Sequence, residues 1–532
     1  MTRYIYASLI LCFFKLTSFS QSFAINTDGS SANASAILDV KSNLKGMLVP
    51  RMSSAQRTAI ASPATGLMVY DTDINSFWYY SGTAWVDISA ANKWLLTGNS
   101  GTNPAINFLG TTDNQPLRFR INNTWAGEIN PTSSNYYLGL RAGVGNTSGY
   151  SNVAIGTDAL SLNASRDNLV AIGDSALYHN GIGAVAVGEA TQNVAIGAFA
   201  MYSNTTGYQN TAIGHYSMYN NTTGLDNTTL GKSTMYYNTS GSYNTAIGYQ
   251  PLFYSTTGSF NTAVGGYALF TNSSASKNVA VGYEALRFQG NGFTNGNVAY
   301  ETDNTAVGYD ALYTNQPTST GNGAGNTGIG MNSLYYNVTG NFNTALGYNS
   351  GVAVSGNYNN TVSIGNNGYL NAFSNQAFFG NLSMVWNGGN QTWSTYSDAR
   401  IKNNIQEDVK GLEFISRLRP VTYYRNIRAT IKLTGNKETP DYPGKYDIEK
   451  IKYSGFLAQD VEKAAHDAGY DFSGYTKPRN DKELYTLSYE QFVVPLVKAI
   501  QEQQALIEKL TKQVNQQQLQ YEALLKKVNT KQ

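Results

Sequence analysis

Between residues 146 and 366 apolar and polar positions recur on fixed rungs, with neither the 3.6-residue period of a helix nor long two-residue alternation. The motif Asn-Thr/Val-Ala-Ile/Val-Gly closes on Gly197, Gly214, Gly231, Gly248, Gly265 and Gly282, five consecutive steps of 17. Related copies close on Gly156, Gly173, Gly188, Gly308, Gly330, Gly347 and Gly365, at spacings from 9 to 26. One unit reads NTAIGYQPLFYSTTGSF, residues 244–260. A short fixed period predicts a solenoid, in which each turn covers the apolar face of its neighbour. Seventeen residues are too few for two packed helices, and β-branched residues interleaved with Gly and Asn oppose helix. In Thr-Ala-Ile successive side chains alternate faces, the closing Gly permits a sharp corner, and an Asn repeated at one place can stack as a hydrogen-bonded ladder. The predicted class is mainly β: a parallel β-roll or β-helix of ~17-residue repeats.

The flanks carry other patterns. GLMVYD and SFWYYSG, joined by TDIN, read as a hairpin, and residues 96–145 as a few more short strands. After Ser488 the apolar positions Val493, Leu496, Ile500, Ile507, Leu510, Val514, Tyr521, Leu524 and Val528 keep a 3-4 spacing if Gln503 and Gln517 fill the two remaining places. That predicts a five-heptad coiled coil over 488–532, with the two glutamines weakening the seam and fixing register. An amphipathic helix docked on its own domain is the competing reading. Ser488 with Gln491 predicts a capping box, and Pro495 is tolerated near the helix start. At the other end Arg3, YIYASLILCFF and LTSFSQ read as a secretory signal over residues 1–20, cleaved near Ser20 or Gln21 and too short to span a bilayer. Cys12, the single cysteine, lies inside it, and Leu11 stands where lipidation wants a small residue. The mature chain then has no disulfide and no thiolate metal site.

Charge divides the chain further. Of 70 charged residues, 40 lie in the last 135 positions and 13 in residues 146–366, so one mixed core is excluded. Net charge is +2, which gives no basic field for nucleic acid or an anionic membrane. The expected segments are 1–20 signal, 21–95 N-terminal β module, 96–145 short β segment, 146–366 solenoid, 367–393 transition, 394–487 a domain of mixed character and 488–532 the coiled-coil helix.

Three resemblances follow from quoted residues. The AIG-type cores over 146–366 resemble the head repeats of trimeric autotransporter adhesins, though with a longer period; the likeness implies three rolls packed side by side. Residues 22–95 look like the N-terminal module of secreted, fibre-like proteins of the Bacteroidetes group. SDARIKNNI, then LEFISRLRPVTYY, then YSGFLAQDVEKA, over about 394–510, resemble the C-terminal intramolecular chaperone of phage tailspikes such as endosialidases. That likeness implies an α+β chaperone that assists trimeric folding and then cuts its own chain. Carried residue by residue, Ser397 is the nucleophile, Lys402 the general base, and Ser397–Asp398 the scissile bond. The spacing suits the chemistry: a serine hydroxyl needs a base, a dehydrated lysine can serve, and five residues of turning chain fold Lys402 back. Arg400 or the amides of Asn403 and Asn404 are candidates for the oxyanion.

Plainer readings stand beside these. Ser397 is also an ordinary N-cap for DARIKNNI. Asn-x-Thr/Ser triplets such as Asn204-Thr205-Thr206 are glycosylation-like or simple corner chemistry, the latter favoured by their period. Tyr216, Tyr219, Tyr236 and Tyr237 suit packing between coils or chains, or a cell-surface glycan. Asp71, Asp73 and Asn75 fit a calcium loop or an Asx turn. His466 reads as a solvated helix residue, and Asp441 and Glu449 as loop. No cofactor, metal or nucleotide motif is expected. The sequence thus predicts an exported trimeric fibre with a self-cleaving serine peptidase of single turnover. The alternative is a surface adhesin whose last domain stays attached as a structural trimeriser.

Overall fold

A computed structural model describes residues 22–530, apart from 89–97, 291–292, 294, 353–356, 369–370, 372, 391–392 and 436–440. The predicted signal and Cys12 lie outside the described residues. The chain divides into two compact units, residues 1–110 and 111–532.

In the first unit, β1 (Phe23–Ile25) pairs in parallel with β2 (Leu38–Val40). A second sheet runs in the order β3 (Arg51–Met52), β4 (Met68–Asp71), β5 (Ser76–Tyr80), β6 (Trp85–Asp87). The predicted hairpin is β4–β5, with Met68 opposite Tyr79 and Asp71 opposite Ser76. Helix α1 (Ser54–Thr58) is closed by a capping box between Ser53 and Gln56. It aims the buried Arg57 at Asp71, 2.9 Å away, with the guanidinium 3.7 Å over the Trp78 ring. The other Asp71 oxygen accepts the Asp73 N–H at 3.0 Å, the geometry of an Asx turn.

The second unit is built on one sheet of 16 strands. It opens with antiparallel β7 (Leu117–Ile121), β8 (Thr124–Asn130) and β9 (Asn135–Leu138). From β9 onward thirteen three-residue strands, one per coil, add in parallel and in register, from Val153–Ile155 to Ala377–Phe379. The middle residue of each repeat strand but the last, such as Ala212, Ala246 or Ala263, is fully buried. A second buried column stands four residues past the corner glycine: Leu177, Met201, Met218, Met235, Leu252 and Leu269. These side chains fill the roll although their backbone is left-handed, with φ of 51° at Met218 and 50° at Leu252. That conformation costs about 1–2 kcal/mol per residue and persists because packing on both sides fixes it. At the corner itself only glycine fits: Gly231 has φ 134°, and a Cβ there would lie 1.9 Å from the Gly248 carbonyl oxygen.

Asparagine forms two ladders. In the first, each Nδ2 of Asn227, Asn244, Asn261 and Asn278 donates to the Oδ1 of the asparagine one coil back, at 3.1 Å. In the second, Asn221 and Asn238 reach back to Asn204 and Asn221 at 2.9 and 2.7 Å. Aromatic rings stack likewise: Tyr202, Tyr219, Tyr236, Phe253 and Phe270 are 5.2–5.5 Å apart and nearly parallel.

One expected rung is absent. The copy AVAVG closing on Gly188 forms no strand, and Val170–Ile172 pairs directly with Val194–Ile196. Only nine residues separate Gly188 from Gly197, too few for a 17-residue coil, so the motif is thrown out as a loop. Arg166 holds that loop through Ala186 O at 2.9 Å, and the Glu189 carboxylate accepts the N–H groups of Val185 and Ala186.

The C-terminal part is α+β. Two short antiparallel pairs, Val421–Tyr423 with Tyr453–Gly455 and Tyr475–Thr476 with Thr486–Leu487, accompany α2 (Leu412–Ile415), α3 (Ile427–Thr434) and α4 (Ala458–Asp467). Its core centres on Phe414 with Val461, Ala465, Phe472 and Phe492. The final helix α5 (Val493–Asn529) has 37 residues, about 55 Å at 1.5 Å per residue. The predicted capping box does not form there. Ser488 opens a 3-10 turn over Tyr489–Phe492 with no side-chain cap, and the Gln491 carbonyl instead accepts from Ser473 Oγ. Burying Phe492 in the core sets that start.

Candidate active site

The junction is shaped by Asp398. Its backbone is extended and its carboxylate accepts the Arg400 N–H at 2.8 Å, so Asp398, rather than Ser397, caps the 3-10 turn Ala399–Ile401. The turn ends at Lys402, whose own backbone is extended and whose N–H donates to Ala399 O. One turn followed by an extended residue returns the lysine chain toward the start. Lys402 Nζ donates to Ser397 Oγ at 2.7 Å. The two residues singled out for nucleophile and base are thus brought into contact within one chain.

Arg400, a candidate for the oxyanion, is engaged with Asp398. Its guanidinium grips the Asp398 carboxylate through Nε at 3.0 Å and Nη2 at 2.6 Å, which leaves its Nη1 side facing away from Asp398. This side-chain contact and the Arg400 backbone N–H hold the Asp398 carboxyl below the usual carboxylate range, and Asp398 raises Arg400 in return. The pair fixes the backbone on the Asp398 side of the Ser397–Asp398 peptide. Asn404 adopts φ 54°, a left-handed turn just beyond Lys402. All residues from Ser394 to Glu407 are exposed in the single chain, Ile401 and Ile405 among them.

The other candidates lie elsewhere in the domain. His466 is exposed on α4 and touches Asp467. Asp441 accepts from Lys445 at 2.8 Å and from the Tyr446 hydroxyl at 2.7 Å, while Glu449 accepts the Ile427 N–H. The Arg400–Asp398 fork escaped the sequence, where i, i+2 charges carry no mark of pairing. Among the described residues no group of three or more His, Cys, Asp or Glu side chains is placed to hold a metal ion.

On the roll, Asn204 Nδ2 donates to both Asn180 Oδ1 and Gly207 O at 2.8 Å and is fully buried, so it is closed to a glycan. The stacked tyrosines turn their ring faces to one another, which leaves edges rather than faces for a sugar. No helix among the described residues is long and apolar enough to cross a membrane.

No curated protein and no solved structure matches the chain. Residues 24–104 match the family model for a phage tail like trimerisation region. Residues 397–470 match the model for the chaperone of endosialidase, a family of self-cleaving chaperone domains, and that match begins at Ser397. With a β-solenoid between them, these two matches make the chain similar to a tail-fibre protein.

Proposed function

We propose that this chain is an exported, homotrimeric fibre whose C-terminal chaperone nucleates the trimer and then releases itself by cutting Ser397–Asp398. The observation that carries the reading is the 2.7 Å contact between Lys402 Nζ and Ser397 Oγ. To act as base, the lysine must first lose its proton, and dehydration is what drives an ammonium to do so. Both groups are exposed in one chain, so neighbouring copies supply the dry surroundings. Assembly would thereby license cleavage.

The direction of attack follows from ring size. A hydroxyl closing on the carbonyl of its own residue forms a four-membered ring, a strained route. In the trimer, Ser397 Oγ attacks the Ser397 carbonyl carbon of a neighbouring copy while its proton passes to Lys402. The new C–O bond forms, the C–N bond to Asp398 breaks, and the Asp398 amine leaves with the proton from Lys402. Water then hydrolyses the ester, freeing a carboxylate at Ser397 and restoring the hydroxyl. Each junction turns over once, and loss of the chaperone turns modest equilibrium stability of the fibre into kinetic stability.

A denaturing gel with mass spectrometry tests this. The unmutated protein gives two fragments, the smaller spanning 398–532, and Ser397→Ala or Lys402→Ala restores one band. Tagged Ser397→Ala copies co-assembled with unmutated copies are still cut. A fragment beginning at Ser397 would mean attack on the Tyr396 carbonyl through a five-membered ring and would overturn the proposed route. A single intact band for the unmutated trimer would leave the last domain as a permanent trimeriser.

A further inference from the structure

The parallel sheet of the roll has one face toward the buried alanine column and one face outward. On that outward face the composition is one-sided. In all thirteen coils the first strand residue is Thr, Val or Ala, and the third is Ile, Val, Leu or Phe. No charge or amide occupies either column, although amides and hydroxyls fill the corners on both sides. In six coils the third column is nevertheless open, with Ile155, Leu230, Val281, Ile329, Leu346 and Phe379 36–47% exposed, and in the other seven it is half-buried. Strand propensity alone does not require this, since threonine serves the first column in seven coils and would serve the third as well.

The stripe is large. Thirteen strands about 4.8 Å apart run roughly 60 Å, and three residues span about 10 Å across. That area, about 600 Å², stands at the upper end of the apolar patches of typical monomers and approaches the ~800 Å² that each partner buries in a stable interface. Parallel sheets are ordinarily covered on both faces. A seam of the same kind reappears on α5, where Ile500, Ile507, Leu510 and Val514 are at least half exposed.

We infer that the outward strand face of the roll is the surface along which copies of this chain meet, so that the Ile/Val/Leu columns line the interior of the trimeric shaft. The occupant is a second and third copy, because a face uniform over thirteen coils fits a partner with the same rise per coil, and identical chains have it. The inference rests on the trimeric reading above and adds which wall of the roll faces inward.

Cysteine placement in the full-length chain tests it, in a Cys12→Ser background with Ser397→Ala to keep one species. Ile247→Cys lies in the third column, and Thr239→Cys lies on an exposed corner. Light scattering reports the assembly independently of cross-linking. A short bismaleimide is expected to link Ile247→Cys at least tenfold more than Thr239→Cys, and Leu346→Lys is expected to weaken assembly at least tenfold in concentration. A trimer in which Thr239→Cys links and Ile247→Cys does not would overturn the inference and leave the trimeric reading intact. A monomer by light scattering would overturn both.

Discussion

The shaft and the terminal domain solve stability in opposite ways. In the shaft most contacts recur from coil to coil: a small buried residue, usually alanine, a leucine or methionine, one or two asparagines and a corner glycine, each near the same position of the next coil. Nearest-neighbour stacks of this kind gain stability by summation, and no single rung is indispensable for chemistry. In the terminal domain each contact occurs once. Phe414 sits in one core, Glu502 accepts one N–H from Leu412, and Lys402 meets one serine. Repetition gives the shaft many equivalent rungs, whereas the proposed cleavage depends on one place unlike any other.

That contrast is sharpest under substitution. Ser397→Ala is expected to lower the cleavage rate by at least ~10³-fold while leaving the shaft folded, checked by a timed gel beside circular dichroism. Gly231→Ala should do the reverse. Its Cβ has no room against the Gly248 carbonyl, so about 3 kcal/mol or more is lost from the roll, read as a lowered denaturation midpoint, with the excised domain still folded. Smaller changes probe the ladders. The second asparagine ladder breaks at Ser255, leaving Asn238 Oδ1 and Ser255 Oγ buried without partners among the described residues. Ser255→Asn restores the rung and is expected to stabilise the shaft by about 1 kcal/mol in denaturant melts.

The smallest effect is a pH dependence. Burial, then the Glu284 carboxylate one coil back, push the Asp310 carboxyl up to about 6, with Arg287 opposing them. The folded roll therefore holds this proton more tightly than the unfolded chain. The penalty grows as pH rises from about 4 to 6 and is fully present above that. Asp310→Asn should raise the melting temperature by about 1–2 °C at pH 7.5 and leave it unchanged at pH 4.

Much of the shaft was legible because a 17-residue period is a long-range statement: it names the neighbour of every residue. The parallel roll, the alanine column and the first asparagine ladder all follow from it. The missing rung at Gly188 was not read, since AVAVG copies the local pattern but lacks the length of chain to close a coil. Left-handed leucine and methionine could not be read, because propensity forbids what two-sided packing enforces. The capping box at Ser488 failed for a related reason: burial of Phe492, a tertiary contact, chose a different start for α5. At the junction, the Ser397–Lys402 contact followed the resemblance, while Asp398 as cap and Arg400 as its clamp emerged only from the fold.

The antiparallel opening of the long sheet, β7 through β9, has a consequence for the population of molecules rather than for any one of them. A stack of identical parallel rungs invites the next molecule to continue it, as fibrils do. Here the first edge is a folded-back hairpin that offers no matching rung, so polymerisation from that side is barred and length is written in the gene rather than set by concentration.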